Sequence, residues 1–345
     1  MMLDKRDAYQ DGSIWFYAPS KWVPILFAIL FAVSGIIHGY QTHKKKCWTV
    51  TGLLPWSALL FMIGFILRVV GAFGQWDNVP LYIASTVFLL AGPPVYEGAN
   101  FLILGRILYY IPYLSPIHPG RVFSTFIGSL FFVEVLTANG AALLANTEAP
   151  QGRRVVGDAL LKSALILQLA LMVGFVSLTA TFHRRCSRNG VLTKKLIQVL
   201  TVLYCSCALI TIRTIFRTVE YFSAAAEHTW DDPNDVHYII KNEWVFWLFE
   251  VAIMYANTTM LNIFHPMSCL PHSNKIYLAR DGKTEIEGPG FQDPRPWYIT
   301  FIDPFDIANL LFNKGKQRKY WEVDDSGSGN ALKNDGRVVS PSCHV

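Results

Sequence analysis

The sequence has little charge and few cysteines, and it lacks several motifs that mark common classes of soluble protein. Only 16% of its 345 residues are charged whereas 52% are hydrophobic, which excludes an ordinary soluble protein. The six cysteines show neither zinc-ligand spacing nor the pattern of a disulfide framework. No Gly-x4-Gly-Lys-Ser/Thr motif is present, which excludes a P-loop nucleotide site. The net charge of +5 is modest, and we expect no nucleic-acid partner.

What the sequence has instead is long apolar runs. Seven of them are long enough to cross a bilayer as a helix, since about 20 apolar residues span the hydrocarbon core. They do not alternate apolar and polar residues as the strands of a membrane barrel do. The sequence therefore predicts an all-α integral membrane protein with seven transmembrane helices. The predicted spans are about 22–40, 49–73, 80–110, 121–146, 158–182, 196–222 and 243–264.

The charges of the connections predict the orientation of the chain. The first and fifth connections are rich in lysine and arginine, whereas the sixth is acidic. Because positively charged connections stay in the cytoplasm, we expect the N-terminus outside and the C-terminus inside. The predicted division is an extracellular segment at 1–21, a transmembrane domain at 22–265 and a partly disordered cytoplasmic tail at 266–345.

The sixth predicted span carries Arg213, Arg217 and Glu220 inside an apolar run. Their spacing of four and three residues puts them on one stripe of a helix. A charge near the bilayer centre costs roughly 2.5–3.5 kcal/mol, so we expect these side chains to face a protein interior or a wet cavity. Polar residues of other spans are expected to meet them there. The predicted lining of a polar substrate cavity is Arg68, Glu97, Glu134, Asn139, Arg213, Arg217, Glu220, Glu250 and Asn257.

Depth along the helices predicts a partner for Glu250. It lies about seven residues into the seventh span, at the level of both arginines of the sixth, so we pair it with Arg213 or Arg217. Glu97 lies deeper than Arg68, and a direct pair between these two is not favoured. Ion pairs between membrane helices can also serve only to hold a bundle together, and this alternative stays open.

The seventh span also shows a repeat. Glu243, Glu250 and Asn257 recur every seven residues, which predicts that they share one face of the helix. Histidines show no comparable pattern. His38 and His43 are five residues apart and face different ways on a helix, and no pair at i, i+4 exists. We expect no metal site and no cofactor.

Short motifs occur in order along the spans: Gly64-Phe65-Ile-Leu-Arg68, Ala91-Gly-Pro93 to Tyr96 with Leu104-Gly105-Arg106, Phe216-Arg217-Thr-Val-Glu220, Glu243-x6-Glu250 with Met254, and His265-Pro266. In this order they resemble the fungal lipid-translocating exporter family, whose members include the aminocholesterol-resistance protein and the sphingoid long-chain-base exporter. The resemblance covers residues from about Tyr17 to Pro266. It implies a seven-helix fold and the movement of a lipid-like molecule.

Two positions depart from the pattern of this family. The family tends to have a glutamate seven residues before the arginine of the second span, where this chain has Phe61. Its fourth span tends to carry an aspartate and then a glutamine before a glycine cluster, where this chain has Glu134 and Asn139 before Gly140. If these groups contact the substrate, the substrate differs from a sphingoid base.

We expect a plasma-membrane translocator or exporter of an amphipathic lipid-like or toxic small molecule, giving resistance or lipid export, and not an enzyme. Its expected partners are that molecule and the bilayer. The alternative is a seven-helix receptor or sensor of a lipid-like ligand, which the number and orientation of the spans also fit. Against a receptor, the third span ends in Gly105-Arg106-Ile107 rather than an Asp-Arg-Tyr triplet. The seventh closes with His265-Pro266 rather than Asn-Pro-x-x-Tyr.

Overall fold

The computed structural model describes residues 19–74, 78–117, 119–145, 150–226 and 242–271, with shorter pieces at 273, 275–280, 282, 284–287 and 338–339. The helices are α1 Trp22–Lys44, α2 Trp48–Thr51, α3 Leu53–Ala72, α4 Val79–Tyr110, α5 Pro119–Ala145, α6 Gln151–Arg188, α7 Lys194–Ala226, α8 Glu243–Phe246 and α9 Ile253–Ile263. A π-helical segment, Trp247–Ala252, joins α8 to α9. Turns of 3-10 helix at Pro112–Leu114 and Pro266–Ser268 follow α4 and α9.

Seven helical stretches of the described chain are long and apolar enough to cross a membrane, which confirms the predicted number of spans. They are Trp22–Lys44, Leu53–Ala72, Val79–Tyr110, Ser124–Leu143, Gln151–Arg188, Lys194–Phe222 and Glu243–Ser268. The fifth is longer than predicted because its helix continues into the basic residues at both ends. The second is shorter because α2 forms a separate turn, and α3 begins only after Gly52.

The spans form a closed bundle. Each packs against the next in sequence, and α9 returns to α1. The central helix is α4, since it contacts α7 as well as α3 and α5, and it is almost wholly buried between Gly92 and Leu108. The outer faces carry large apolar side chains, such as Ile36 of α1 and Val173 of α6, which are 72% and 66% exposed. Such an apolar exterior suits a surrounding of lipid.

Two glycines bring α3 and α4 close together. A Cβ atom on Gly64 would lie 2.8 Å from the Leu89 side chain, so the two helices meet there without room for a larger residue. Serines strengthen the contact, since Ser57 donates to the carbonyl of Gly92 at 2.7 Å and Ser85 donates to the carbonyl of Gly64 at 2.9 Å. Small residues and interhelical hydrogen bonds of this kind hold membrane helices together in the absence of a hydrophobic driving force.

An aromatic stack fills the space between α1 and α3. Phe31 and Phe61 are fully buried, with ring centroids 4.6 Å apart and nearly parallel planes. Phe65 extends the stack, 5.7 Å from Phe31, and Tyr96 of α4 lies 6.3 Å from Phe61. Phe61, one of the two departures from the family pattern, is therefore a core residue packed against α1 and α4.

A small antiparallel sheet follows the last span. Its strands are β1 Ile276–Leu278, β2 Glu285–Glu287 and β3 Val338–Val339, in the order β1-β2-β3. The prediction of an all-α chain is wrong for this segment, because strands of two or three residues leave no periodic signal in a polar, Pro- and Gly-rich sequence. Most residues of the predicted extracellular segment and of the predicted disordered tail lie outside the described part of the chain.

Side chains at the end of α4 hold the chain that follows the last span. Arg106 donates two hydrogen bonds to the carbonyl of Pro271, at 2.6 and 3.2 Å. Tyr110 donates to the Glu285 carboxylate, and Tyr113 donates to the carbonyl of Ala279, both at 2.9 Å. Arg106 thus anchors the chain between the last span and the sheet to α4, and Tyr110 anchors the sheet itself.

Candidate functional site

The π-helical segment determines where the acidic residues of the seventh span point. A π turn inserts one extra residue into a helix and rotates the flanking parts relative to each other. Glu243, before this segment, reaches Arg68 of α3, whereas Glu250, inside it, reaches α7. The predicted shared face of Glu243 and Glu250 is therefore wrong, since the heptad spacing assumed a regular α-helix.

Glu250 lies between two arginines of α7. Its Oε2 accepts a hydrogen bond from Arg217 Nε at 2.9 Å. Its Oε1 accepts from Arg213 Nε at 2.9 Å and also from a terminal nitrogen of the same guanidinium group. The two arginines are one helical turn apart, so they bracket a single carboxylate from the neighbouring helix. The predicted pairing of Glu250 with Arg213 or Arg217 is confirmed, and it involves both.

Glu220 completes this group, which we call the ion-pair cluster: Arg213, Arg217, Glu220 and Glu250. Arg217 donates to Glu220 at 2.7 Å, so the cluster contains two positive and two negative side chains. Burial decreases from one end of it to the other. Glu250 and Arg213 are 0% and 4% exposed, whereas Arg217 and Glu220 are 20% and 23% exposed. The Arg213–Glu250 pair is consequently the part of the cluster that solvent or lipid head groups reach least.

Arg68 belongs to a second, separate pair. Its guanidinium group lies 3.3 Å from the Glu243 carboxylate and above the rings of Phe246 and Trp247, 4.6 and 5.3 Å from their centroids. Glu243 also accepts from the backbone N–H of Ser20 at 3.1 Å, which attaches the start of α1 to the start of the seventh span. A separation of Arg68 from Glu97 was predicted, and the structure agrees.

Glu97 and Glu134 face the interior from α4 and α5. Glu97 is 1% exposed, and its carboxylate accepts a hydrogen bond from Gln168 of α6 at 2.7 Å. Glu134 is half-buried and has no hydrogen bond or ion pair with a described residue. Both carboxylates are close enough to Arg213 to be attracted by it, and they are close enough to repel each other. Around the two arginines of α7, the described residues therefore include four carboxylates: Glu97, Glu134, Glu220 and Glu250.

Two predicted cavity residues lie elsewhere. Asn139 is exposed, and its amide donates to the carbonyl of Val135 in its own helix at 2.7 Å. Five residues after Glu134, it lies on a different side of α5 from Glu134. Asn257 is fully buried on α9, about 10 Å along the helix axis from Glu250. Neither of its amide atoms has a hydrogen-bond partner among the described residues, so no hydrogen bond joins it to the ion-pair cluster.

Several polar contacts were not predicted. Gln168 reaches Glu97, and Asn100 of α4 exchanges hydrogen bonds with Ser206 of α7. A further set links α1 to α9, and we call it the α1–α9 polar cluster: Ser34, His38, Thr258 and Asn262. Their presence inside apolar runs was the available signal. Uncharged polar side chains cost less free energy in a membrane than charged ones. The sequence alone therefore did not distinguish these residues from the other polar residues of the spans.

The fold and the buried ion pairs define a seven-span helical membrane protein with a charged interior. The chain belongs to the RTA1-like family, since residues 55–273 match the family model described as "RTA1 like protein". The predicted resemblance to lipid-translocating exporters is thereby confirmed. Membership of this family and the seven apolar helices together make it a multi-pass membrane protein.

Individual relatives agree with this assignment. The chain is 36% identical to the lipid-translocating exporter-like protein RTA1 of Leptosphaeria maculans, over 97% of this chain and 69% of that protein. It is 32% identical to the protein of the same name from Ajellomyces capsulatus, over 81% and 87% of the two chains. It is 27% identical to the probable lipid transporter atnI of Emericella nidulans, over 74% and 68%. No solved structure matches the chain significantly.

Proposed function

We propose that the protein moves an amphipathic lipid-like or toxic small molecule across the plasma membrane, as a translocator or exporter. The observation that carries this proposal is the set of four carboxylates around the two arginines of α7, enclosed by helices with apolar outer faces. Such an interior can hold a polar head group while an apolar chain stays in the lipid. The relatives named as lipid-translocating exporter-like proteins and as a probable lipid transporter support the same class.

The balance of charges favours a positively charged head group. Glu220 and Glu250 are engaged by arginines, whereas Glu97 accepts one bond from a neutral amide and Glu134 has no described partner. We propose that Glu97 and Glu134 bind the head group and that the ion-pair cluster holds α7 against the seventh span. Arg213, near both carboxylates, limits their repulsion when no cation is bound. Export of a toxic amphiphile by this route would give cells resistance to it.

Reconstitution tests this function. Purified protein in liposomes should move a fluorescent cationic amphiphile between leaflets faster than protein-free liposomes do. Glu97→Gln and Glu134→Gln should each lower the rate about tenfold, since hydrogen bonds to charged groups contribute roughly 1.5–3 kcal/mol and 1.4 kcal/mol is a factor of ten. Asn139→Ala, an exposed change on the helix of Glu134, should keep the wild-type rate. Wild-type rates for both glutamine variants would refute the proposed head-group site.

We also propose the orientation and the division of the chain given by its charges: residues 1–21 outside, the domain at 22–265 in the membrane and residues 266–345 inside. The basic connections support this orientation. A protease added to intact cells should spare a tag placed after Val345 and remove a tag placed before Met1, and a fluorescent fusion should outline the cell. Loss of the C-terminal tag without permeabilisation would reverse the proposed orientation.

A further inference from the structure

Two lysines from distant parts of the sequence meet at the end of the bundle where α1 ends and α7 begins. Lys45, which follows α1, contacts the hydroxyl of Ser268, in the turn after α9. Lys195 is the second residue of α7. The thiol of Cys269, the next residue after Ser268, lies within electrostatic range of both ammonium groups. The chain that leaves the last span therefore passes close to two positive charges.

A buried arginine lies beside these lysines. Arg106, near the end of α4, is 4% exposed and donates from Nε and Nη2 to the carbonyl of Pro271, at 3.2 and 2.6 Å. Its third guanidinium nitrogen, Nη1, is buried and has no hydrogen-bond partner among the described residues. Cys47 lies within electrostatic range of both Arg106 and Lys45, which places the arginine in the same group. We call Lys45, Arg106 and Lys195 the basic cluster.

The basic cluster has no acidic counterpart among the described residues. None of its three members forms an ion pair with a described carboxylate, whereas both arginines of α7 do. Burial lowers the pKa of the Lys45 ammonium group below its ordinary value, because the charged form loses contact with water. Arg106 stays protonated in any case, and a carbonyl oxygen does not neutralise it. A buried positive charge without a counterion is costly, so an anion would stabilise this end of the bundle.

His265 adds a hydrogen-bonding group next to the basic cluster. This residue is 3% exposed and lies within electrostatic range of Lys45. Neither of its ring nitrogens has a hydrogen-bond partner among the described residues. A neutral imidazole carries one N–H group, so it can donate to an anion that Lys45 binds. Charged donors and one neutral donor thus lie together.

We propose that the basic cluster is a binding site for a phosphate group, carried by an anionic lipid or by a soluble phosphate. Guanidinium and ammonium groups bind phosphate oxygens through short, charge-assisted hydrogen bonds. Basic pockets between membrane helices bind anionic lipid head groups in this way. In the orientation proposed above, this end of the bundle faces the cytoplasmic leaflet, which is rich in anionic lipid. The anion would join the ends of α1, α4 and α7 to the chain that follows the last span.

This site is separate from the head-group site proposed for the transported molecule. Arg106 lies nine residues after Glu97 on α4, about 14 Å along the helix axis. The charges of the two sites are opposite, since one contains carboxylates and the other contains ammonium and guanidinium groups. The phosphate group therefore serves as a stabilising ligand and not as the cargo, and the inference does not depend on the proposed translocation.

Thermal unfolding of the purified full chain in an uncharged detergent tests the site. Added phosphatidic acid should raise the unfolding midpoint by roughly 4 °C near saturation, because a ligand that binds only the folded state stabilises it. Phosphatidylcholine with the same acyl chains, whose phosphate is offset by a choline group, should leave the midpoint unchanged. Inorganic phosphate at constant ionic strength is the second arm. Stabilisation by phosphatidic acid alone assigns the site to a lipid, and stabilisation by inorganic phosphate assigns it to a soluble phosphate.

Matched variants distinguish a defined site from diffuse attraction. Lys45→Gln and Lys195→Gln should each raise the concentration for half-maximal stabilisation about tenfold, since each removes a charge-assisted hydrogen bond. Lys194→Gln, at the exposed neighbour of Lys195, should behave like the wild type. Without added phosphate, Lys195→Gln should unfold at or above the wild-type midpoint, because it removes an unpaired positive charge. A lysine with a purely structural role would lower the midpoint instead. Lys195 is exposed, so this variant serves if Lys45→Gln does not fold.

Three results would overturn the inference. Equal stabilisation by phosphatidic acid and phosphatidylcholine would show a general effect of lipid. Equal weakening by Lys194→Gln and Lys195→Gln would show attraction to a basic surface without a defined site. No stabilisation by phosphatidic acid or inorganic phosphate would mean that the charges of the basic cluster are neutralised within the chain. None of these measurements uses a transported amphiphile, so their failure leaves the proposed translocation untouched.

Discussion

Glu250→Ala should lower the free energy of unfolding by about 3–5 kcal/mol, the usual range when one partner of a buried ion pair is removed. The alanine leaves two guanidinium groups without their shared carboxylate, and Arg213, at 4% exposure, cannot turn to water. Glu220→Ala is the matched control and should lower the free energy of unfolding by under about 1 kcal/mol. Glu220 and its partner Arg217 are both partly exposed, and Arg217 remains paired with Glu250 in this variant. Unfolding in mixed detergent micelles measures both.

The geometry also predicts which second substitution compensates. Adding Arg213→Ala to Glu250→Ala leaves Arg217 paired with Glu220. The loss of unfolding free energy in this double variant should therefore be smaller than the sum of the losses in the two single variants, by roughly 0.5–3 kcal/mol. Adding Arg217→Ala instead leaves Arg213 buried and Glu220 unpaired, and should compensate less. No coupling with either arginine would mean that Glu250 does not bridge them, and equal coupling would contradict the predicted difference between the two arginines. A charge exchange between Arg217 and Glu250 should fail, since it places two arginines side by side.

Gly92→Ala should be the second strongly destabilising change. We expect it to lower the free energy of unfolding by about 3 kcal/mol, near the upper end of the usual cost of overpacking. A Cβ atom on Gly92 would lie 2.3 Å from a ring carbon of Phe61, with two further ring carbons within 2.8 Å. Phe61 cannot move aside easily, because it is fully buried and stacked on Phe31. Thermal unfolding of the purified protein, followed by the near-ultraviolet signal of its aromatic side chains, measures the effect.

The controls for Gly92 lie in the same structure. Gly105→Ala, in the same helix, meets no atom within 4 Å and should raise the stability by up to about 1 kcal/mol through helix propensity. Phe61→Leu should relieve much of the clash, so the Gly92→Ala, Phe61→Leu variant should be more stable than the sum of its single changes predicts. If Gly92→Ala and Gly105→Ala behave alike, the close approach of α3 and α4 at Gly92 is incorrect.

The sequence by itself determined the number of spans. An apolar run of about 20 residues has no stable alternative to a membrane helix, because hydrocarbon allows no unpaired backbone groups. The interior position of the charges on α7 followed from the same cost of burial. The pairing of Glu250 with the arginines followed from depth alone. The family resemblance followed from short motifs, some of which lie at contacts between spans, such as Gly64 beside Leu89 and Arg217 beside Glu250.

Only the tertiary structure decided which of the polar residues meet. The π-helical segment sends Glu243 to α3 and Glu250 to α7, although their spacing of seven predicts one shared face. The exposed position of Asn139 depends on the rotation of α5 against its neighbours. His38 and Thr258, 220 residues apart, meet because α9 closes the bundle against α1. Hydrophobicity places a residue in the membrane, but it carries no information about how each helix is rotated or which helices are neighbours. Those two features of the tertiary structure define the site.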